Sequence, residues 1–125
     1  RTEFMPFAPA TRIEDAEICY KNCNNAKYAC RFMTMTLDCT DEMKKMSPAA
    51  VHVDGTARIQ IVENSSYLDR LLSILEPMGI EILANSSLNV SGDPTCFDLV
   101  DGLMVCSRTK LRYLLTDLGL LKRKT

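Results

Sequence analysis

A chain of 125 residues with 46% hydrophobic and 25% charged side chains is long enough to bury a real core and reads as soluble and globular. Its 15 basic and 16 acidic residues leave a net charge of −1, which argues against a general nucleic-acid or membrane-surface protein, because those carry a basic excess. No apolar run approaches the ~20 residues of a membrane span, and no signal-peptide pattern opens the chain, so a cytoplasmic location is expected.

The chain begins at Arg1 and not at Met, so it reads as a piece of something longer. Pro6-Phe7-Ala8-Pro9 predicts a stiff extended segment, since each proline fixes its own φ and biases the residue before it away from helix. Thr11 with Glu14 stands at capping-box spacing, and Ile13, Ala16, Cys19 and Tyr20 follow at helical spacing, predicting a helix over 12–21. Residues 22–27 read as a polar loop. The alternation from Arg31 to Leu37 predicts a strand. Residues 38–48 are charged and turn-like, with one helical turn near Glu42–Lys45. Two strands, 49–53 and 57–62, flank the turn Asp54-Gly55-Thr56.

Tyr67, Leu68, Leu71, Leu72 and Leu75 form an apolar stripe at helical spacing, stopped by Pro77 and Gly79. A short strand at 80–84 runs into the polar loop Asn85-Ser86-Ser87-Leu88-Asn89, followed by a turn at 90–94. A helix over 97–106 carries an unfavourable Gly102. A last strand at 111–115 ends before Gly119, which breaks the chain ahead of the basic tail. Strands alternating with helices put the chain in the α/β class, or mixed α+β, around one sheet.

Six cysteines and N-x-S sequons at Asn64, Asn85 and Asn89 raise the alternative of a secreted, disulfide-bonded glycoprotein. Such a core does not need staples, and the second C-x2-C pair typical of a zinc site is missing, so the thiols read as reduced and partly buried.

Three clusters suit a phosphate or an amide. In Asp54-Gly55-Thr56-Ala57-Arg58 the glycine allows close backbone approach, the threonine offers a hydroxyl and the arginine a planar fork for phosphate oxygens. Asn85, Ser86, Ser87 and Asn89 follow the carboxyl end of a predicted strand, where open α/β sheets bind ligands. Arg1 precedes the stiff proline segment. Each cluster also has an ordinary reading, as a hairpin turn or a solvated loop. His52, between Val51 and Val53, reads as a structural histidine and not as a base.

Taken in order, the motifs resemble the C-terminal domain of the carbamoyltransferase family that includes nodulation-factor and antibiotic O-carbamoyltransferases. The family pattern R-x-x-F-x-P-F-A-P, R-F-M, P-A-x-x-H-V-D-G-T-A-R-x-Q and N-T-S-F-N is matched by Arg1–Pro9, Arg31-Phe32-Met33, Pro48–Gln60 and Asn85–Asn89. Ser86 and Leu88 replace Thr and Phe, Ile59 and Ser65 stand where other residues are common, and Met5 takes a position where many members have Arg.

The resemblance implies a YrdC-like fold: a single domain over 1–125, with a twisted sheet and flanking helices. It implies partnership with an N-terminal, actin- and Hsp70-like domain that carries a metal ion, Fe or Mg, with no metal ligand within this chain. It also implies binding of ATP as co-substrate and of carbamoyl phosphate, to form carbamoyl-adenylate for transfer to an acceptor hydroxyl. Arg58 and Arg1 would then be the catalytic residues, positioning phosphates. His52, Asp54, Gly55, Thr56, Asn85, Ser86, Ser87 and Asn89 would bind substrate or nucleotide. The alternative is a non-catalytic module that binds the nucleotide or carbamoyl phosphate and regulates.

Overall fold

The computed structural model describes residues 6–124, so the readings at Arg1 and Met5 lie outside the described residues. The chain is a mixed α/β protein that packs as two compact units, residues 6–86 and residues 87–124.

In the first unit, strand β1 (Ala8–Arg12) is the middle of a three-stranded sheet. It runs parallel to β4 (Gln60–Val62) and antiparallel to β5 (Ile82–Asn85), in the registers Ala10↔Gln60 and Ala8↔Asn85. Pro9, which has no N–H to give, lies one residue before the ladder to β4 begins. A second, two-stranded sheet pairs β2 (Thr36–Asp38) with β3 (Thr56–Arg58), and Ile59 is the joint at which one run of chain passes from one sheet to the other. The single sheet expected from the alternation of elements is therefore several small ones.

Local signals failed where long-range pairing competed with them. The predicted helix over 12–21 is mostly strand and turn, followed by the short helix α1 (Ala16–Cys19). Thr11 caps nothing: it is fully buried in β1, and its hydroxyl donates to the Tyr20 hydroxyl at 3.3 Å. Pairing on both edges of β1 outweighs a weak helical spacing. The loop read at 22–27 contains a 3-10 turn, Cys23–Ala26, and the helix α2 begins at its end (Lys27–Cys30), with the small residues Cys23, Ala26 and Cys30 buried. The strand read at 31–37 survives only as β2, because Met33 takes a left-handed conformation (φ 54°) that ends the alternation before it. The strand read at 49–53 is instead a 3-10 turn, Pro48–Ala50, with proline in its first turn, where a missing N–H is harmless.

Other expectations held closely. Helix α3 (Asp41–Met46) contains the helical turn read near Glu42–Lys45 and is capped by the Thr40 hydroxyl, which accepts from the Met43 N–H at 3.2 Å. The leucine stripe forms α4 (Tyr67–Leu75), capped by Ser66 and continued by a 3-10 turn, Glu76–Met78, that stops at left-handed Gly79. Arg12 ties β1 to this helix, its guanidinium donating to Asp69 at 3.2 Å and to Glu76 at 2.9 Å and also pairing with Glu14.

The core of this unit is built from small and sulfur-bearing residues: Ala16, Cys19, Cys23, Cys30, Cys39, Met43, Ala50, Ala57, Ile59 and Ile61, with Tyr20 among them. A second cluster joins Ala10, Val62 and Leu72, with Leu68 and Leu83 against it.

In the second unit, α5 (Leu99–Arg108) lies on a hairpin of β6 (Tyr113–Thr116) and β7 (Gly119–Lys122). The sequence reading ended at β6; β7 exists because left-handed Gly119 turns the chain back onto it. Gly102 allows close approach, since a Cβ there would sit 3.1 Å from the Leu114 side chain, which would have to shift by a few tenths of an ångström. Arg123 donates to the carbonyls of Cys106 and Thr109 at 2.9 Å each, closing the C-terminal end of α5. Among the described residues no helix is long and apolar enough to cross a membrane.

Leu72 is the largest fully buried side chain joining α4 to the sheet. Leu72→Ala is therefore expected to destabilise the fold by about 2–5 kcal/mol, read from urea unfolding. A change within about 0.5 kcal/mol would mean that α4 does not close this core.

Candidate functional site

The segment from His52 to Gln60 presents one continuous outward face. Ala57, Ile59 and Ile61 are fully buried, so the alternation of a strand turns Thr56, Arg58 and Gln60 to the opposite side. His52 joins that side through its ring: Nδ1 lies 3.0 Å from the Thr56 Oγ1. Across the ladder, Asp38 stands opposite Thr56 and Thr36 opposite Arg58.

The turn itself is self-contained. Gly55 N–H donates to the His52 carbonyl at 2.9 Å, and His52 N–H donates to the Thr56 carbonyl at 2.7 Å. Thr56 gives both its N–H, at 3.0 Å, and its hydroxyl, at 2.7 Å, to the same Asp54 carboxylate oxygen. Those bonds hold the Asp54 carboxyl below its ordinary range. Gly55 has φ +84°, a conformation that glycine adopts without strain, and its carbonyl accepts from the Cys39 N–H at 2.9 Å. The N–H groups of His52, Gly55 and Thr56 are thus occupied inside the turn.

The cations near this face are Arg58 and Lys44. The Arg58 guanidinium is exposed and makes no hydrogen bond or ion pair among the described residues. Lys44, on α3, passes over the turn, where a Cβ at Gly55 would meet its Cε at 3.5 Å and its Nζ at 3.7 Å. Its ammonium also reaches Asp41 at 3.3 Å. Sequence reasoning missed Lys44, because only tertiary packing brings α3 over the turn. Gln60 was missed too, although its period-two relation to Arg58 placed it on the same face.

The polar loop after β5 divides by residue. Asn85 donates from Nδ2 to the Gln60 Oε1 at 2.9 Å, joining the β3–β4 face within the first unit. The Ser86 and Ser87 hydroxyls make no hydrogen bond among the described residues. Asn89 belongs to the second unit, where it donates to the carbonyls of Val90 at 3.1 Å and Asp93 at 2.9 Å and so closes its own turn. A shallow pocket reaches Gln60 and is lined by Arg31, Phe32, Tyr67 and Leu68. Arg31 pairs there with Glu63 and lies over the rings of Tyr28, at 5.3 Å, and Phe32, at 5.6 Å.

The six cysteines are unpaired thiols. Burial pushes the Cys19 thiol up to about 12 and raises Cys23, Cys30 and Cys39 as well, so they are poor nucleophiles at neutral pH. Among the described residues no group of three or more His, Cys, Asp or Glu side chains is arranged to hold a metal ion.

A family model described as the carbamoyltransferase C-terminus matches residues 1–123. The chain belongs to the carbamoyltransferase C-terminal family. It is 28% identical to the nodulation protein NolNO of Sinorhizobium fredii over 128 aligned residues, covering 100% of this chain and 19% of that protein. Identity to the 3'-hydroxymethylcephem-O-carbamoyltransferase of Amycolatopsis lactamdurans is 30%, over 85% of this chain and 20% of the enzyme. The enzyme of the same name from Streptomyces clavuligerus is 32% identical over 74% of the chain. The chain thus spans about a fifth of the length of these relatives, and the H-V-D-G-T-A-R-x-Q segment that carries the family resemblance forms the outward face described above.

Since a Cβ at Gly55 meets Lys44 only at ordinary contact distance, backbone strain alone sets the cost of a substitution there. Gly55→Ala should destabilise the fold by about 1–2 kcal/mol, and Gly55→Asn by less, since Asn tolerates the left-handed region. Equal unfolding midpoints for wild type and Gly55→Ala would show that the turn does not hold this conformation.

Proposed function

We propose that this chain is the part of an O-carbamoyltransferase that holds carbamoyl phosphate and ATP while carbamoyl-adenylate is formed for transfer to an acceptor hydroxyl. The observation that carries this reading is the outward face of β3–β4, where Arg58, exposed and without a hydrogen bond or ion pair among the described residues, stands on the chain between the His52–Thr56–Asp54 turn and the Gln60–Asn85 amide pair. Membership of the carbamoyltransferase C-terminal family supports it, as do relatives named for carbamoyl transfer to a hydroxymethyl group.

Both substrates are anionic, and a solvent-facing guanidinium without a protein partner can hold phosphate oxygens bidentately with no internal ion pair to break. The chemistry balances as follows. Water releases carbamate and phosphate from carbamoyl phosphate. A carbamate oxygen then bonds to the α-phosphorus of ATP as pyrophosphate leaves, and the acceptor hydroxyl later displaces AMP from the carbonyl carbon. Charge moves onto the departing phosphates at each step, so a fixed cation stabilises the transition state more than the ground state. Lys44 supplies a second cation at the far end of the turn. Gln60 and Asn85 offer amide donors and acceptors to the carbamoyl group or the ribose, and the pocket beside Gln60, with Phe32 and Tyr67 in its wall, is a seat for the adenine. The turn residues Asp54, Gly55 and Thr56 serve in this reading to shape the site, while Arg58 makes the phosphate contact. Ser86 remains available as a hydroxyl donor, and a phosphate-positioning role for Arg1 is part of the proposal.

The test is carbamoyl-phosphate-dependent exchange of pyrophosphate into ATP by the complete protein. Arg58→Ala is expected to lower exchange at least tenfold, a loss of about 1.4 kcal/mol or more in transition-state stabilisation. Arg58→Lys should recover only part of it, because an ammonium lacks the fork. Unchanged exchange in Arg58→Ala would remove Arg58 from the site. Calorimetric binding of both ligands with no exchange in the wild type would establish a binding or regulatory module instead.

A further inference from the structure

The residues around His52 suggest a structural histidine and the resemblance a substrate or nucleotide contact; its backbone does close the turn, but its ring is held in a way that closing a turn does not need. The hydrogen bonds around Thr56 leave one arrangement of protons. Asp54 is ionised at neutral pH, and a carboxylate only accepts. Its Oδ1 lies 2.7 Å from the Thr56 Oγ1, so the single hydroxyl hydrogen of Thr56 is directed to Asp54. Toward His52 Nδ1, at 3.0 Å, the same oxygen can then only accept. The ring must therefore donate from Nδ1. A neutral imidazole has one N–H, so Nε2 is bare, carrying a lone pair, and it has no hydrogen-bond partner among the described residues.

A bare Nε2 selects a particular chemistry. It accepts from an N–H or O–H group and cannot donate to a phosphate oxygen unless the ring gains a proton. Carbamoyl phosphate carries both kinds of group, a phosphate at one end and an –NH2 at the other. Thr56 and Arg58 are two residues apart on one strand face, about 6–7 Å along it, and His52 is bonded to Thr56 on that same side. The two ends of one small molecule can therefore meet two different residues.

We propose that Asp54 and Thr56 hold His52 in the Nδ1–H form, so that its Nε2 accepts a hydrogen bond from the carbamoyl –NH2 and distinguishes carbamoyl from acyl phosphates. The ligand part of this rests on the function proposed above, whereas the tautomer does not. His52 is the specificity-determining contact, and Thr56 and Asp54 are positioning residues that act through it. The lowered carboxyl of Asp54 agrees with this role, because the proton arrangement requires its ionised form. The other charges near this turn, Lys44 beside Gly55 and Asp38 opposite Thr56, are an ammonium that cannot accept from the ring and a carboxylate on the neighbouring strand.

The experiment exploits His52 being the sole histidine of this chain. Long-range 1H–15N correlation of the imidazole at neutral pH reads the tautomer directly from one ring. The expected spectrum shows a protonated Nδ1 and a bare Nε2, the reverse of the form commoner for free histidine. Thr56→Ser should keep that pattern, and Thr56→Val should shift it toward Nε2–H. A wild-type ring protonated at Nε2 would overturn the proposal without touching the role of Arg58.

Titration with carbamoyl phosphate should then move the Nε2 resonance, whereas acetyl phosphate, with a methyl in place of the –NH2, should bind roughly tenfold more weakly and leave Nε2 unmoved. His52→Ala should bring the two affinities together. Arg58-dependent binding of carbamoyl phosphate with an unmoved Nε2 would sink this proposal alone. Absence of any carbamoyl phosphate binding would sink the phosphate reading together with the ligand half of this one.

Discussion

The structure of the site depends on three inward-facing side chains. Ala57, Ile59 and Ile61 lie in the core at 0%, 0% and 1% exposure, and their burial decides where every polar residue of the segment points. A slip of one residue would bury Thr56, Arg58 and Gln60 and expose the apolar set, which the hydrophobic penalty forbids. Ile59 has a second duty, since the chain leaves one sheet and enters another at that residue. The outward face is therefore shared between two sheets, with Asp38 and Thr36 beside it on one and, through Gln60, Asn85 beside it on the other.

The core that fixes this face is unusual in its materials. Cys19, Cys23, Cys30 and Cys39 fill it together with four alanines, so the packing elements approach each other closely and the helices α1, α2 and α3 are short. Small side chains leave little apolar area per residue, and hydrogen-bonded loops share the work of holding the unit together. Cys39 shows the coupling: its thiol is in the core, while its N–H donates to the Gly55 carbonyl and so fixes the turn that carries His52.

What could be read from the chain alone follows the same division. The leucine stripe of α4, the turn at Asp54-Gly55-Thr56 and the exposed Arg58 rest on local chemistry, and each was legible. Thr11 was misread as a helix cap because nothing near it in sequence says that β4 and β5 will enclose it. His52 reads as a strand residue because Val51 and Val53 flank it, yet the chain makes a 3-10 turn at Pro48–Ala50 and reaches the next strand only at Thr56, leaving His52 in the turn region between them. Asn85 and Asn89 look equivalent in the sequence, but they separate in the structure: one amide meets Gln60 and the other closes its own turn. Lys44 had no local signal at all.

The turn also shows why a motif's composition does not assign its roles. Asp-Gly-Thr suggests a loop of free amides facing an anion, but Gly55 and Thr56 have committed their N–H groups within the turn, and Asp54 adds a negative charge. A phosphate would be repelled there unless the cations at either end, Arg58 and Lys44, draw it away from Asp54. The proposed reading separates the two tasks: charge recognition by the arginine, and neutral hydrogen-bond recognition beside the carboxylate. A site arranged this way reads the two halves of a ligand independently. An analogue that lacks the –NH2 then loses the neutral contact while keeping the phosphate contact, which is the form that discrimination between isosteric acyl groups must take when their charged ends are identical.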